Sequence, residues 1–371
     1  MSKVKSNNVT FVAAMLGILA PALPAAAGSV EVPEAAKVHQ FSWGTFKLAP
    51  RIVEATKAGK PAKIVVDVMA TAIPRMGTEM RAGMERGCSN RENGIETKCS
   101  LTGPVNTDAN KQLSQLETLL HSDEVDCLVL QSPLPGQFVR VIDQFVDQGI
   151  PVFTFNIDVD KSRRFAFTAL DEQQSGEING EATAKLVKEK NLKIDKVALG
   201  SSAPDEAWAR SRMIGFTAGY KKIIPDAQFF NDADHAVPTG NTYSVKEALT
   251  TVTPFLTAHP DVNLFFHTDQ GIEGVGDVIQ NLKLQGKVFA SGFNVSSAIL
   301  DAIKHGVTLV TIDQNYAAQT NAGTQQCVGY LTKGEVPANP INHIDPVVIT
   351  AAGGNGGLDA DTALKQLQAS K

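Results

Sequence analysis

From residue 63 onward the chain alternates short apolar runs with longer stretches whose apolar residues return every three or four positions. The short runs predict strands at 63–69, 95–101, 126–131, 152–156, 165–170, 196–200, 227–231, 262–267, 287–292 and 307–313. Between them the helical period is explicit. Leu113, Leu116, Leu119 and Leu120 form one stripe, and Phe138, Val141, Ile142 and Phe145 another. Further helices are predicted at 78–86, 176–188, 206–221, 244–256, 271–282 and 317–331. Strands apolar on both faces and separated by helices are the pattern of βαβ units, which build parallel sheets. There are too many strands for one small sheet. The expected fold class is therefore α/β, with two doubly wound parallel-sheet domains.

The N-terminus changes the picture. Lys3 and Lys5 precede a mostly apolar stretch from Val9 to Leu23, followed by Pro24-Ala25-Ala26-Ala27. This is the three-part layout of a secretory signal cut after Ala27, so export to the periplasm is expected. The two lysines would leave with the signal, taking the formal charge from −5 to −7. An acidic exported chain is a poor partner for nucleic acid. Of the four cysteines, Cys88 and Cys99 bracket a polar loop that a disulfide can close in an oxidising compartment. Cys127, in an apolar run, and Cys327, in a helical pattern, read as buried small hydrophobes.

Ligands of doubly wound sheets bind beyond the carboxyl ends of the strands. The residues just past the expected strands are mostly polar: Thr71 and Arg75, Ser132, Asn156 and Asp158, Ser201 and Ser202, Thr268 and Asp269, Asn294, and Gln314. Together they predict a binding cleft. His267, at a strand end, reads equally as a ligand contact or a core-edge histidine. Catalytic patterns are missing: the sequence has no Gly-x-Ser-x-Gly elbow and no His-Glu-x-x-His pair. Gly271-Ile-Glu-Gly-Val-Gly276 imitates part of a dinucleotide fingerprint but lies in a helical pattern after Asp269. No enzyme activity, cofactor or metal is expected.

Five segments, in order, resemble the ribose-type (class I) periplasmic binding proteins of sugar ABC importers. They are Gly149-Ile-Pro-Val-Phe-Thr-Phe-Asn156, Arg210-Ser-Arg-Met-Ile-Gly-Phe216, Ala258-His-Pro-Asp-Val-Asn-Leu-Phe-Phe-His-Thr-Asp269, Ser291-Gly-Phe-Asn294 and Thr311-Ile-Asp-Gln314. The resemblance implies two lobes joined by a three-strand hinge, with a sugar or polyol held between them for delivery to importer membrane subunits. It implies ligand contacts from Asn156, Arg210, Thr268, Asp269, Asn294 and Gln314. The lobes it implies are 62–170 with 315–341, and 171–314 with 342–352. Residues 28–61 form an N-terminal extension and the glycine-rich 353–371 a flexible tail. A monomer is the default for this architecture.

One departure stands out. Where family sugar binders offer two aromatics after the first strand, this chain has Ile73-Pro74-Arg75-Met76. Trp208 is a replacement stacking surface or a packing residue, and Arg75 brings a second cation to the site, which widens the ligand class to acidic sugars and polyols. A sensory binding protein for a non-sugar signal molecule uses the same cleft. A bilobed transcriptional regulator needs a DNA-binding headpiece, for which the sequence shows no segment.

Overall fold

The computed structural model describes residues 31–72, 74–88, 93–240, 244–354 and 357–369; the expected signal peptide lies outside them. Two parallel-rich sheets organise the chain. The first has six strands in the spatial order Ile341–His343, Ala166–Ala169, Val152–Phe155, Cys127–Leu130, Ala62–Asp67 and Thr97–Thr102, all parallel. The second has seven, in the order Leu358–Asp359, Val347–Thr350, Thr308–Asp313, Phe289–Phe293, Leu264–His267, Val197–Ser201 and Val237–Pro238. Within it only Val347–Thr350 runs against its Thr308–Asp313 neighbour. Central strands such as Cys127–Leu130, Val152–Phe155 and Leu264–His267 are buried at every position. Both their faces are covered by helices, as continuous apolar runs require.

The chain passes between the lobes three times. The strand Ala166–Ala169 leads into the helix Glu172–Glu189 on the second sheet. Thr308–Asp313 leads back into the helix Tyr316–Lys333, which packs on the helix Pro74–Cys88 of the first lobe. Ile341–His343, paired in the first sheet, leads to Val347–Thr350 in the second. The third passage therefore falls between 343 and 347.

The stretch before the first strand packs on the first lobe. A hairpin pairs Val38–Phe41 with Gly44–Lys47, and the helix Pro50–Lys57 follows. Phe46 meets Phe165 edge-on at 4.8 Å, and the Tyr330 hydroxyl donates to the Ala36 carbonyl at 2.8 Å. Arg51 donates to Asp126 Oδ1 at 2.6 Å, and the Ala49 amide to the Gly149 carbonyl. Asp126 and Gly149 both precede strands, so the extension covers the edge of the sheet opposite the carboxyl ends. Gly149 (φ +73°) sits so close to this extension that a Cβ would lie 2.5 Å from the Ala49 nitrogen. No other residue type fits there.

Three sequence expectations are corrected. The tail is ordered against the second lobe: Leu358–Asp359 joins the sheet, and the helix Ala360–Ala369 buries Ala360, Ala363 and Leu367 in its core. Its glycines serve close approach, since a Cβ on Gly357 would collide with the Val348 carbonyl oxygen. The strand expected at 227–231 reduces to a single bridge, Phe229 to Val197, because the Asn231 side chain takes over pairing with both the amide and the carbonyl of Leu199. Finally, Cys127 and Cys327 are not separate hydrophobes. They form a disulfide across 200 residues, with Cα atoms 5.8 Å apart, tying a central strand to the returning helix. Cys88 and Cys99 are also paired, with Cα atoms 6.1 Å apart.

Candidate functional site

A continuous chain of side-chain hydrogen bonds joins the carboxyl ends of the two sheets. It starts at Asp67, which ends the strand Ala62–Asp67 and accepts from Gln112 Nε2 (2.7 Å) and Thr102 Oγ1 (2.8 Å). Gln112 also donates to the Gln131 carbonyl at 2.8 Å. The Gln131 amide is oriented by the Met69 N–H, which donates to its Oε1 (3.3 Å), leaving its Nε2 to donate to Asn156 Oδ1 at 2.8 Å. Asn156 Nδ2 then donates to Gln314 Oε1 at 3.2 Å, reaching the hinge. Gln314 Nε2 donates to Asn294 Oδ1 (2.5 Å) and Tyr316 Oη (3.0 Å).

Each amide fixes the next, so the donor and acceptor order is set from the Met69 backbone outward. Asn156 and Asn294 both adopt left-handed backbone conformations, at φ +66° and +77°. Asparagine tolerates that region better than other side-chain-bearing residues. It lets the chain turn sharply off the strand end while the amide stays in the hydrogen-bonded chain.

On the second lobe the chain ends in Arg212. Its Nη2 donates to Gln314 Oε1 (3.0 Å), its Nη1 to the Thr268 carbonyl (2.8 Å) and its Nε to Glu172 Oε2 (2.5 Å). The guanidinium lies 4.1 Å from the Phe293 ring centroid and 4.9 Å from that of Trp208. Arg212 is 3% exposed, and all three of its donor arms are engaged. A buried cation with planar donors beside two rings is a strong organiser of a polar ligand site.

The residues singled out in the sequence divide. Asn156, Asn294, Gln314 and Trp208 come together around Arg212. Arg210 does not: it pairs with Asp234 at the part-exposed edge of the second lobe. Asp158 folds back to an ion pair with Arg164, whose Nη1 donates to the Pro340 carbonyl, so it braces the loop before Ala166–Ala169. Thr268 contributes its carbonyl rather than its hydroxyl, which turns to Ser201 Oγ at 2.6 Å. Asp269 is buried and turns inward. The side chain of Arg75 lies outside the described residues. Arg212, Gln131 and Gln112 were missed by sequence reasoning.

Burial pushes the Asp67 carboxyl up to about 6, against the opposing pull of its bonds from Gln112 and Thr102. A folded-state value above the unfolded one makes this contribution greatest in acid and lost as pH rises through about 6. Asp67→Asn is therefore expected to flatten the pH dependence. Between acid and neutral pH the wild type should lose on the order of 2–3 kcal/mol relative to the variant, read from urea midpoints. Equal slopes in the two proteins would show that Asp67 is ordinarily ionised.

The model of the periplasmic binding protein domain matches residues 69–335. The chain belongs to the periplasmic binding protein family. The D-ribose/D-allose-binding protein of Pseudomonas aeruginosa is 26% identical over 239 residues, which is 62% of this chain and 70% of that protein. Among solved structures, the glucose-galactose binding protein GanP of Geobacillus stearothermophilus superposes with a TM-score of 0.66 at 21% identity, covering 78% of this chain and 98% of that one. A solute-binding protein of Actinobacillus succinogenes with bound D-allose gives 0.65 at 20%, covering 82% and 99%. Among the described residues, no helix is long and apolar enough to cross a membrane.

Proposed function

We propose that this periplasmic binding protein captures a sugar or polyol between its lobes, closes over it by a hinge motion and presents it to the membrane subunits of an ABC importer. The observation that carries this reading is the hydrogen-bonded set of Asn156, Gln314 and Asn294, from the carboxyl ends of both sheets, with Arg212 from the helix Ala207–Ile223, meeting at the hinge. Its amides and guanidinium offer fixed donors and acceptors, the requirement for reading hydroxyl groups directionally. The P. aeruginosa relative is a D-ribose/D-allose binder by its name, and the A. succinogenes structure holds D-allose, which supports the same ligand class. Gln314 lies in the second passage between the lobes, bonded to Asn156 on one side and Arg212 on the other, so a ligand touching it gains further contacts as the lobes approach. That preference shifts the population toward the closed form. The protein acts as a monomer without nucleic acid.

A thermal-shift screen of the protein without residues 1–27 tests this. The panel is D-ribose, D-allose, D-arabinose, D-galactose, myo-inositol, pentitols and sugar acids, with amino acids as controls. A ligand at a thousandfold excess over its Kd stabilises by about 4 kcal/mol, a shift of several degrees. No shift with any carbohydrate would overturn the sugar reading and turn attention to a non-sugar signal molecule.

A further inference from the structure

The Asp269 carboxylate spends its hydrogen-bonding capacity inside the protein. Ser202 N–H (3.0 Å) reaches Oδ2, while Ser202 Oγ (2.9 Å) and Gly271 N–H (3.1 Å) reach Oδ1; the single Thr268 hydroxyl proton is shared between Oδ2 (3.1 Å) and Ser201 Oγ (2.6 Å). A carboxylate has about four acceptor positions, so a ligand hydroxyl would have to displace one of these donors. The residue is 3% exposed.

The donors continue into a ring. The Asp269 N–H donates to His267 Nδ1 at 3.2 Å, which makes that nitrogen an acceptor and assigns the proton to Nε2. Nε2 lies 2.7 Å from Thr239 Oγ1, which in turn lies 3.4 Å from Ser202 Oγ, the donor to Asp269. The imidazole is fully buried. It lies flat against Gly271, where a Cβ would overlap Cε1 and Nε2, so only glycine leaves room for the ring. Burial lowers the affinity of the imidazole for a second proton, with Asp269 pulling the other way. A proton on Nδ1 would face the Asp269 N–H directly.

Two members of the ring, His267 and Asp269, flank Thr268 in the chain, and the Thr268 carbonyl receives Arg212 Nη1. We propose that His267 and Asp269 are positioning residues, a closed hydrogen-bond ring that fixes the Thr268 carbonyl under Arg212 and thereby tunes ligand affinity without touching ligand. This rests on the reading that Arg212 borders the ligand site.

His267→Leu removes both ring contacts, while His267→Gln keeps a donor and an acceptor. Two readouts separate the claim from the sugar reading. The first needs no ligand: the Arg212 Nη1–H resonances, held by the Thr268 carbonyl and protected from exchange by burial, should persist in wild type and His267→Gln and vanish or broaden in His267→Leu. The second is D-allose affinity, expected to fall tenfold or more in His267→Leu and by less than threefold in His267→Gln. An unchanged Arg212 resonance in folded His267→Leu overturns the proposal. If wild type binds no D-allose, the ligand reading fails for that sugar, while the resonance still decides the positioning role. If His267→Leu does not fold, Thr239→Val, which removes only the Nε2 partner, is read in the same way.

Discussion

Arg212→Ala is expected to cost about 3–5 kcal/mol of stability and to weaken ligand binding by a hundredfold or more. The reason is what the substitution leaves behind. Glu172 loses its 2.5 Å partner, the Thr268 carbonyl and Gln314 Oε1 each lose a donor, and Phe293 and Trp208 lose the flat group beside them. Glu172 keeps partial contact with water, which places the stability loss at the low end of that range. Arg212→Lys retains the charge but not the three-armed fork, so it should recover part of the stability and little of the affinity. Arg210→Ala is the control. Its pair with Asp234 is exposed on both sides, and exposed pairs are worth about 0–1 kcal/mol. Urea unfolding with calorimetric titration of whichever sugar the screen returns checks all three. If Arg210→Ala were the more damaging substitution, the site would have to be redrawn around the outer arginine.

The confusion between these two arginines shows where sequence reading stops and where it could have gone further. The alternation of apolar runs with helical stripes was enough to expect two doubly wound α/β domains, because burial on both faces leaves a mark at every strand position. The polar ends of those strands were enough to pick out Asn156, Asn294 and Gln314, since Gln314 and the two asparagines follow directly on their strands. Arg210 and Arg212 are two residues apart on one helix, hence on different faces. The buried stripe there runs Ala209, Arg212, Met213, Phe216 and Tyr220. Helical phase alone puts Arg212, and not Arg210, in line with those apolar residues, so the inward arginine was legible in the spacing.

Other features had no local signal. Asp158 follows a strand just as Asn156 does, yet its loop doubles back to Arg164. Gln131 is an ordinary strand-end amide until Met69 and Asn156 are placed on either side of it. The tail glycines read as freedom, but Gly357 is there for contact with Val348. Each of these depends on a partner that only the tertiary fold supplies.

The disulfide Cys127–Cys327 is the clearest such case, and the second large effect expected. Neither cysteine is marked by its neighbours: one stands in a β-strand run, the other in a helix, and both are fully buried. The bridge spans 200 residues, and so it encloses the longer of the chain's two excursions through the second lobe. It fastens the helix Tyr316–Lys333, which must come back across the hinge, to a strand laid down before that excursion. Closing so long a loop restricts the unfolded chain strongly, and chain entropy alone suggests about 5 kcal/mol, against about 3 for the 11-residue loop of Cys88–Cys99. Measured bridges often give less, so a loss of roughly 2–4 kcal/mol is the working figure for Cys127→Ala combined with Cys327→Ala. At the size of one lobe that is a melting temperature lower by roughly 5–10 °C. Both sulfurs belong to the first lobe, so if the lobes melt separately in calorimetry, only the first-lobe transition should move. Cys88→Ala with Cys99→Ala should shift the same transition by less. Thiol titration of the denatured, unreduced protein gives the decisive control: free thiols there would remove the bridges and with them the oxidising compartment that they imply. Intact bridges with an unmoved transition would mean instead that the first lobe holds its returning helix by packing alone.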